Sequence, residues 1–135
     1  MSTTKPINLQ LSIEVNNDDV IANVNFLNNS STILYLDYWT IGLNKTLTNS
    51  IFSIRDENNK HVLYSGAMAY RKIVPEDFIP LNPGESINTR IIVNRDYEII
   101  KGHTYKVFFC AYNPTFPDKQ PRLELQSNIV EFVYK

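Results

Sequence analysis

The chain has 135 residues, 43% of them hydrophobic and 20% charged, and its thirteen basic and fourteen acidic side chains leave a net charge of −1. That size and composition suit one self-sufficient core and argue against a disordered chain or a coiled coil. The near-neutral balance offers no field to recruit nucleic acid or an anionic membrane surface, so neither is expected as a partner.

Two-residue alternation between clusters of Asn, Pro and Gly recurs from one end to the other, the pattern of an all-β sandwich. Ile7, Leu9, Leu11, Ile13 and Val15 alternate with polar residues and predict a first strand with one wet face. A turn at 16–19 leads to a second strand carrying Val20, Ala22, Val24 and Phe26, closed by the polar run 28–31. A third strand is expected over 33–39, then a loop over 40–50, then a strand restarting at Phe52 and Ile54. Asn58 and Asn59 predict a hairpin turn with 61–64 as the returning strand. Pro75, Pro80 and Pro83 make 65–83 the longest expected connection, because proline cannot serve a central strand. Gly84 then turns the chain into a strand over 86–93, whose Ile87, Thr89, Ile91 and Val93 share a face. After Gly102 comes 104–109, apolar on both faces and therefore expected at the centre of a sheet. Tyr105 sits where the tyrosine corner of a Greek-key sandwich is found. A loop holding Pro114, Pro117 and Pro121 precedes the last strand, with Val130, Phe132 and Tyr134 on one face. The count of seven to nine strands fits an immunoglobulin-like antiparallel sandwich with Greek-key connections, one domain over 1–135. Tyr105, Gly84 and Gly102 are its expected structural markers.

No pattern with dedicated chemistry emerges, so an enzyme is not expected and no catalytic, cofactor or metal residue is assigned. Cys110 falls in an apolar strand and reads as an inert buried thiol. His61 and His103 lack any metal-ligand spacing, and the adjacent acidic pairs Asp56-Glu57 and Glu76-Asp77 point to opposite faces of an extended chain. No leader or membrane-spanning run is evident, which implies a cytoplasmic protein, with export by a non-classical route left open. The positive signal is aromatic. Tyr38 and Trp39 near one strand end, with Tyr112, Pro114 and Phe116 beside the last proline-rich loop, are the candidate partner-binding residues.

The run 43–54 with its Phe52-Ser53-Ile54, the later Tyr64-Ser65-Gly66 and the run 78–86 with its Pro83-Gly84-Glu85-Ser86 resemble the amino-terminal, propeptide-type β-sandwich domain of the deuterolysin and peptidyl-Lys metalloendopeptidase family, the aspzincins. The zinc protease domain that follows in that family has no counterpart here. The order of strands and the run 102–107 are also similar to small bacterial intracellular proteinase inhibitors of immunoglobulin-like fold. Both resemblances imply a non-enzymatic protein-binding module whose partner is a protein such as a protease, which it inhibits or accompanies as a prodomain does. Binding is expected through the loops 112–121 and 65–83. The alternative is a self-assembling structural subunit, a homo-oligomer pairing through sheet edges or terminal strands, since few charges guard those edges. Carbohydrate binding by Tyr38 and Trp39 is a weaker third reading.

Overall fold

Alternation over the first thirty residues becomes a long hairpin in the computed structural model, which describes residues 5–44, 46–69, 72–114 and 122–135. Strands β1 (Ile7–Asn16) and β2 (Asp19–Asn28) pair antiparallel along their full length. The tight turn between them holds Asn17 at φ 56°, a left-handed conformation that asparagine tolerates better than most residues. Ile7, Leu9, Leu11, Val24 and Phe26 turn inward and are buried. Further along the chain come β3 (Leu34–Asp37), β4 (Phe52–Asp56), β5 (Phe78–Leu81) and β6 (Ser86–Ile92). β6 completes the first sheet, in the order β1-β2-β6, with Phe26 opposite Ile87 and Val24 opposite Thr89.

The second sheet is organised around β7 (His103–Asn113). β4 pairs with one side of it, while β8 (Leu123–Gln126) and β9 (Val130–Tyr134) pair with the other, all antiparallel. Cys110 opposes Gln126 but Val107 opposes Val130, so the β8–β9 side holds one extra residue, a β-bulge over 127–129. The Phe109 N–H donates to Ser127 Oγ across that bulge at 2.9 Å. The core lies between the two sheets. Phe109 of β7 meets Phe26 of β2 edge to face at 5.4 Å and Phe52 of β4 at 5.6 Å, the ring geometry favoured by aromatic quadrupoles. The result is an all-β, sandwich-like architecture, and among the described residues no helix is long and apolar enough to cross a membrane.

Asparagine does much of the joining where ladders stop. Asn113, fully buried, accepts from the Asp37 N–H at 2.7 Å and donates to the Tyr35 carbonyl at 2.9 Å, so its amide stands in for a strand residue between β7 and the β3–β5 ribbon. Asn128 does the same to β1, accepting from the Leu11 N–H at 2.7 Å and donating to its carbonyl at 3.1 Å. Asn94 grips the Val20 N–H and the Asp18 carbonyl, and Asn28 the carbonyls of Thr32 and Leu81. A primary amide carries donor and acceptor in the spacing of a peptide group, which is why asparagine can serve here. The abundance of asparagine therefore has a structural basis beyond turns.

Several expectations are corrected. Cys110 is exposed. Tyr105, Val107 and Phe109 face inward, so Cys110 faces out beside Gln126, and the apolar character of both faces of β7 concealed that alternation. Residues 61–64 form single bridges, Arg55 to His61 and Tyr64 to Tyr97, in place of a returning strand. The connection over 65–83 holds a short 3-10 turn at Pro75–Asp77 and the strand β5. Pro80 is tolerated there because, among the described residues, β5 pairs with β3 alone and no second strand calls on the missing N–H. β8 lies where only a loop was expected, and β3 ends before Tyr38 and Trp39.

Candidate functional site

The local architecture begins with a buried phenol. Tyr97, 3% exposed, accepts from the N–H groups of Ile51 and Phe52, both at 2.9 Å, and contacts Ser50 Oγ at 3.0 Å. These bonds fix the entry into β4, and burial pushes the Tyr97 hydroxyl above its ordinary pKa. From the other side the Cys110 N–H donates to the Ile51 carbonyl at 2.8 Å, so β7 and the 48–51 segment are locked together.

Above that lock lies a groove of about 420 Å³, lined among others by Trp39, Ser50, Ile73, Cys110, Tyr112 and Pro114. Its volume is in the range of pockets that take a small ligand or a few side chains. No charged side chain lines it among the described residues. Tyr112 is 55% exposed and Ile73 39%, and Met68, 75% exposed, flanks the groove beside Thr48 and Asn49. Exposed apolar and aromatic surface of this kind marks a contact site more often than scattered single residues do.

Two devices hold the aromatic walls. Trp39 donates from Nε1 to Asp77 Oδ1 at 3.2 Å, and its ring stands perpendicular to that of Tyr38 at a centroid distance of 5.4 Å. The guanidinium of Arg122 sits over the Tyr112 ring at 4.5 Å, a cation–π contact. Thus Trp39, Tyr112 and Pro114, chosen from the sequence, meet in one groove. Tyr38 touches Trp39 but does not line the groove, and Phe116 lies outside the described residues. Sequence reasoning missed Ile73, Ala69 and Cys110. For Cys110 the signal was present, since it shares the outward register of Tyr112, whereas Ile73 and Ala69 arrive from an irregular connection with no periodicity to read.

A second cluster sits at the start of β7. His103 Nδ1 and Glu57 Oε1 are 2.5 Å apart, and the Thr104 N–H donates to Glu57 Oε2 at 2.9 Å. The hydrogen bond from His103, then those from backbone N–H groups, hold the Glu57 carboxyl well below the usual range, at about 2. Next to it the Tyr105 hydroxyl reaches back five residues, accepting from the Ile100 N–H at 2.7 Å and donating to the Ile100 carbonyl at 3.1 Å. Gly84 at φ 82° and Gly102 at φ 95° take left-handed turns that an L side chain would strain. Among the described residues no three His, Cys, Asp or Glu side chains converge on a common point for a metal ion. The sequence matches no protein-family model and no curated protein.

Proposed function

We propose that the chain is a non-enzymatic, protein-binding module built on an immunoglobulin-like, Greek-key sandwich, and that it seats an extended segment of a partner protein, a protease in the first instance, in the groove between Trp39 and Tyr112. The observation that carries this reading is the convergence of the 65–83 connection on the end of β7. Ala69 and Ile73 from the connection, with Tyr112 in β7 and Pro114 just after it, line a single groove that has no charged side chain among the described residues, on a rigid β scaffold. The fold assignment is supported by the division of strands: β1, β2 and β6 lie in one sheet and β4, β7 and the β8–β9 pair in the other. That corresponds to strands A, B, E and C, F, G of an immunoglobulin sandwich. The bonds from the Tyr105 hydroxyl to Ile100 support it as well.

Anchoring by Tyr112 and Trp39 adds contact area at small entropic cost, and such residues dominate binding energy at interfaces. The test is inhibition or capture by the purified protein of a panel of metallo-, serine and cysteine proteases, repeated with Tyr112→Ala and Ile73→Asp. Micromolar engagement that weakens at least about tenfold in both variants supports the groove. Engagement by no protease removes the protease reading, and engagement untouched by both substitutions removes the groove.

A further inference from the structure

We propose that the groove is a slot for one strand: an extended, uncharged segment of the partner pairs with the main chain of β7 at Cys110 and Tyr112, continuing the β4–β7 ladder where β4 leaves it. The proposal rests on the groove reading above and adds how the groove recognises its occupant.

Alternation along β7 is fixed by bonds on both sides. The Phe109 carbonyl accepts from the Ser127 N–H at 3.1 Å and the Phe109 N–H donates to Ser127 Oγ, so Phe109 and Ala111 serve the β8–β9 side. The Cys110 N–H donates to the Ile51 carbonyl at 2.8 Å, so Cys110 and Tyr112 serve the β4 side. One step further, a regular ladder would bring the Ile51 N–H to the Cys110 carbonyl and set Asn49 against Tyr112. The strand pairing ends at Phe52 and Phe109, before either contact.

Named bonds explain why it ends. The Ile51 N–H goes to the Tyr97 hydroxyl at 2.9 Å, the Ser50 N–H to Asn49 Oδ1 at 2.9 Å, and the Thr48 carbonyl accepts from the Ala69 N–H at 2.9 Å. The segment that could have closed the ladder is committed elsewhere. Among the described residues nothing bonds to the Cys110 carbonyl or to either main-chain group of Tyr112. Residues 110–112 and 48–51 all line the groove, so the gap in the ladder and the groove coincide.

This geometry selects the occupant. Acceptor, donor and acceptor along Cys110 and Tyr112 are the pattern that a peptide main chain complements, and three residues of extended chain span about 10 Å. Trp39, Ala69 and Ile73 are further lining residues, and no charged side chain lines the groove among the described residues, so the segment it fits carries apolar or β-branched residues and no charge. Proline is excluded where the segment must donate to β7.

Amide hydrogen exchange of the full chain, read by NMR, tests the slot without any protease. In the free protein the Tyr112 amide should exchange at least about a hundredfold faster than those of Cys110 and Ala111, which are bonded within the sheet. The probe is the capped peptide acetyl-Val-Thr-Val-Thr-Val-amide at millimolar concentration, set against the same peptide N-methylated at every residue. The plain peptide should slow exchange at Tyr112 roughly tenfold, and the methylated one should leave it unchanged because it offers no N–H. A Tyr112 amide as protected as its neighbours in the free chain overturns the proposal, since the slot would already be filled. So does exchange at Tyr112 that the plain peptide leaves unchanged, or that both peptides slow alike. Such a failure leaves the groove with side-chain recognition alone, whereas an empty protease panel removes the protease and not the slot.

Discussion

Replacing Tyr97 with phenylalanine removes one oxygen and should destabilise this protein far more than such a change usually does. In the structure that oxygen accepts two main-chain N–H groups, from Ile51 and Phe52, both at 2.9 Å and both buried. Phenylalanine keeps the ring contacts with Phe52 and Tyr64 but leaves both donors without a partner. A buried donor without a partner costs about 1–3 kcal/mol, so the expected loss is about 2–5 kcal/mol out of a total stability of about 5–15 kcal/mol. At about 3–5 °C per kcal/mol for a chain of this size, the melting temperature should fall by roughly 6–25 °C. Urea unfolding monitored by fluorescence and circular dichroism measures the free energy directly. Tyr64→Phe is the control, because its hydroxyl meets the Ala67 carbonyl in an exposed setting and its loss should cost under about 1 kcal/mol. A Tyr97→Phe loss no larger than the control would refute the reasoning, since it would mean that water or a shifted backbone satisfies those donors.

Glu57 should make stability depend on pH in a defined window. Its folded-state pKa is depressed from 4.5 to about 2, so its contribution is present above the unfolded value and is lost as pH falls from about 4.5 through about 2. Glu57→Gln should therefore show a shallower dependence of unfolding midpoint on pH across that window, and parallel curves would contradict it. Cys110, exposed on β7, should react with a thiol reagent in the folded state at a rate near that of the denatured chain; reaction only after unfolding would show it covered. Asn113→Ala should cost about 1–3 kcal/mol and speed hydrogen exchange at the Asp37 amide, which loses its 2.7 Å acceptor; unchanged exchange there would exclude the clamp.

Much of the sandwich was legible because its strands alternate cleanly. Ile7, Leu9 and Leu11, or Val24 and Phe26, can face only one way once a core exists, so their burial follows from spacing. Where both faces are apolar, spacing loses its power. Phe108 and Cys110 look as buried as Phe109, and only the pairing of Cys110 with Gln126 tells them apart. The irregular segments were illegible for another reason. β5 pairs with β3 across more than forty residues of chain, and a proline within it disguises a strand that is an edge. The groove combined both cases: Trp39 and Tyr112 announced themselves as aromatics at strand ends, whereas Ile73 becomes a wall residue only after the long connection has folded back. The Glu57 and His103 pair, 46 residues apart, had no local signal at all.

The clamp at Asn113 bears on how such a protein can change over generations. A ladder hydrogen bond belongs to the main chain and among substitutions only proline removes its donor, but two of the hydrogen bonds that attach β3 to β7 pass through one mutable side chain. Trp39 lies two residues beyond Asp37, which that side chain holds, and Tyr112 and Pro114 are its immediate neighbours. A single substitution at this position therefore acts next to both walls of the groove at once, and it gives selection one place from which the width of the opening can be changed.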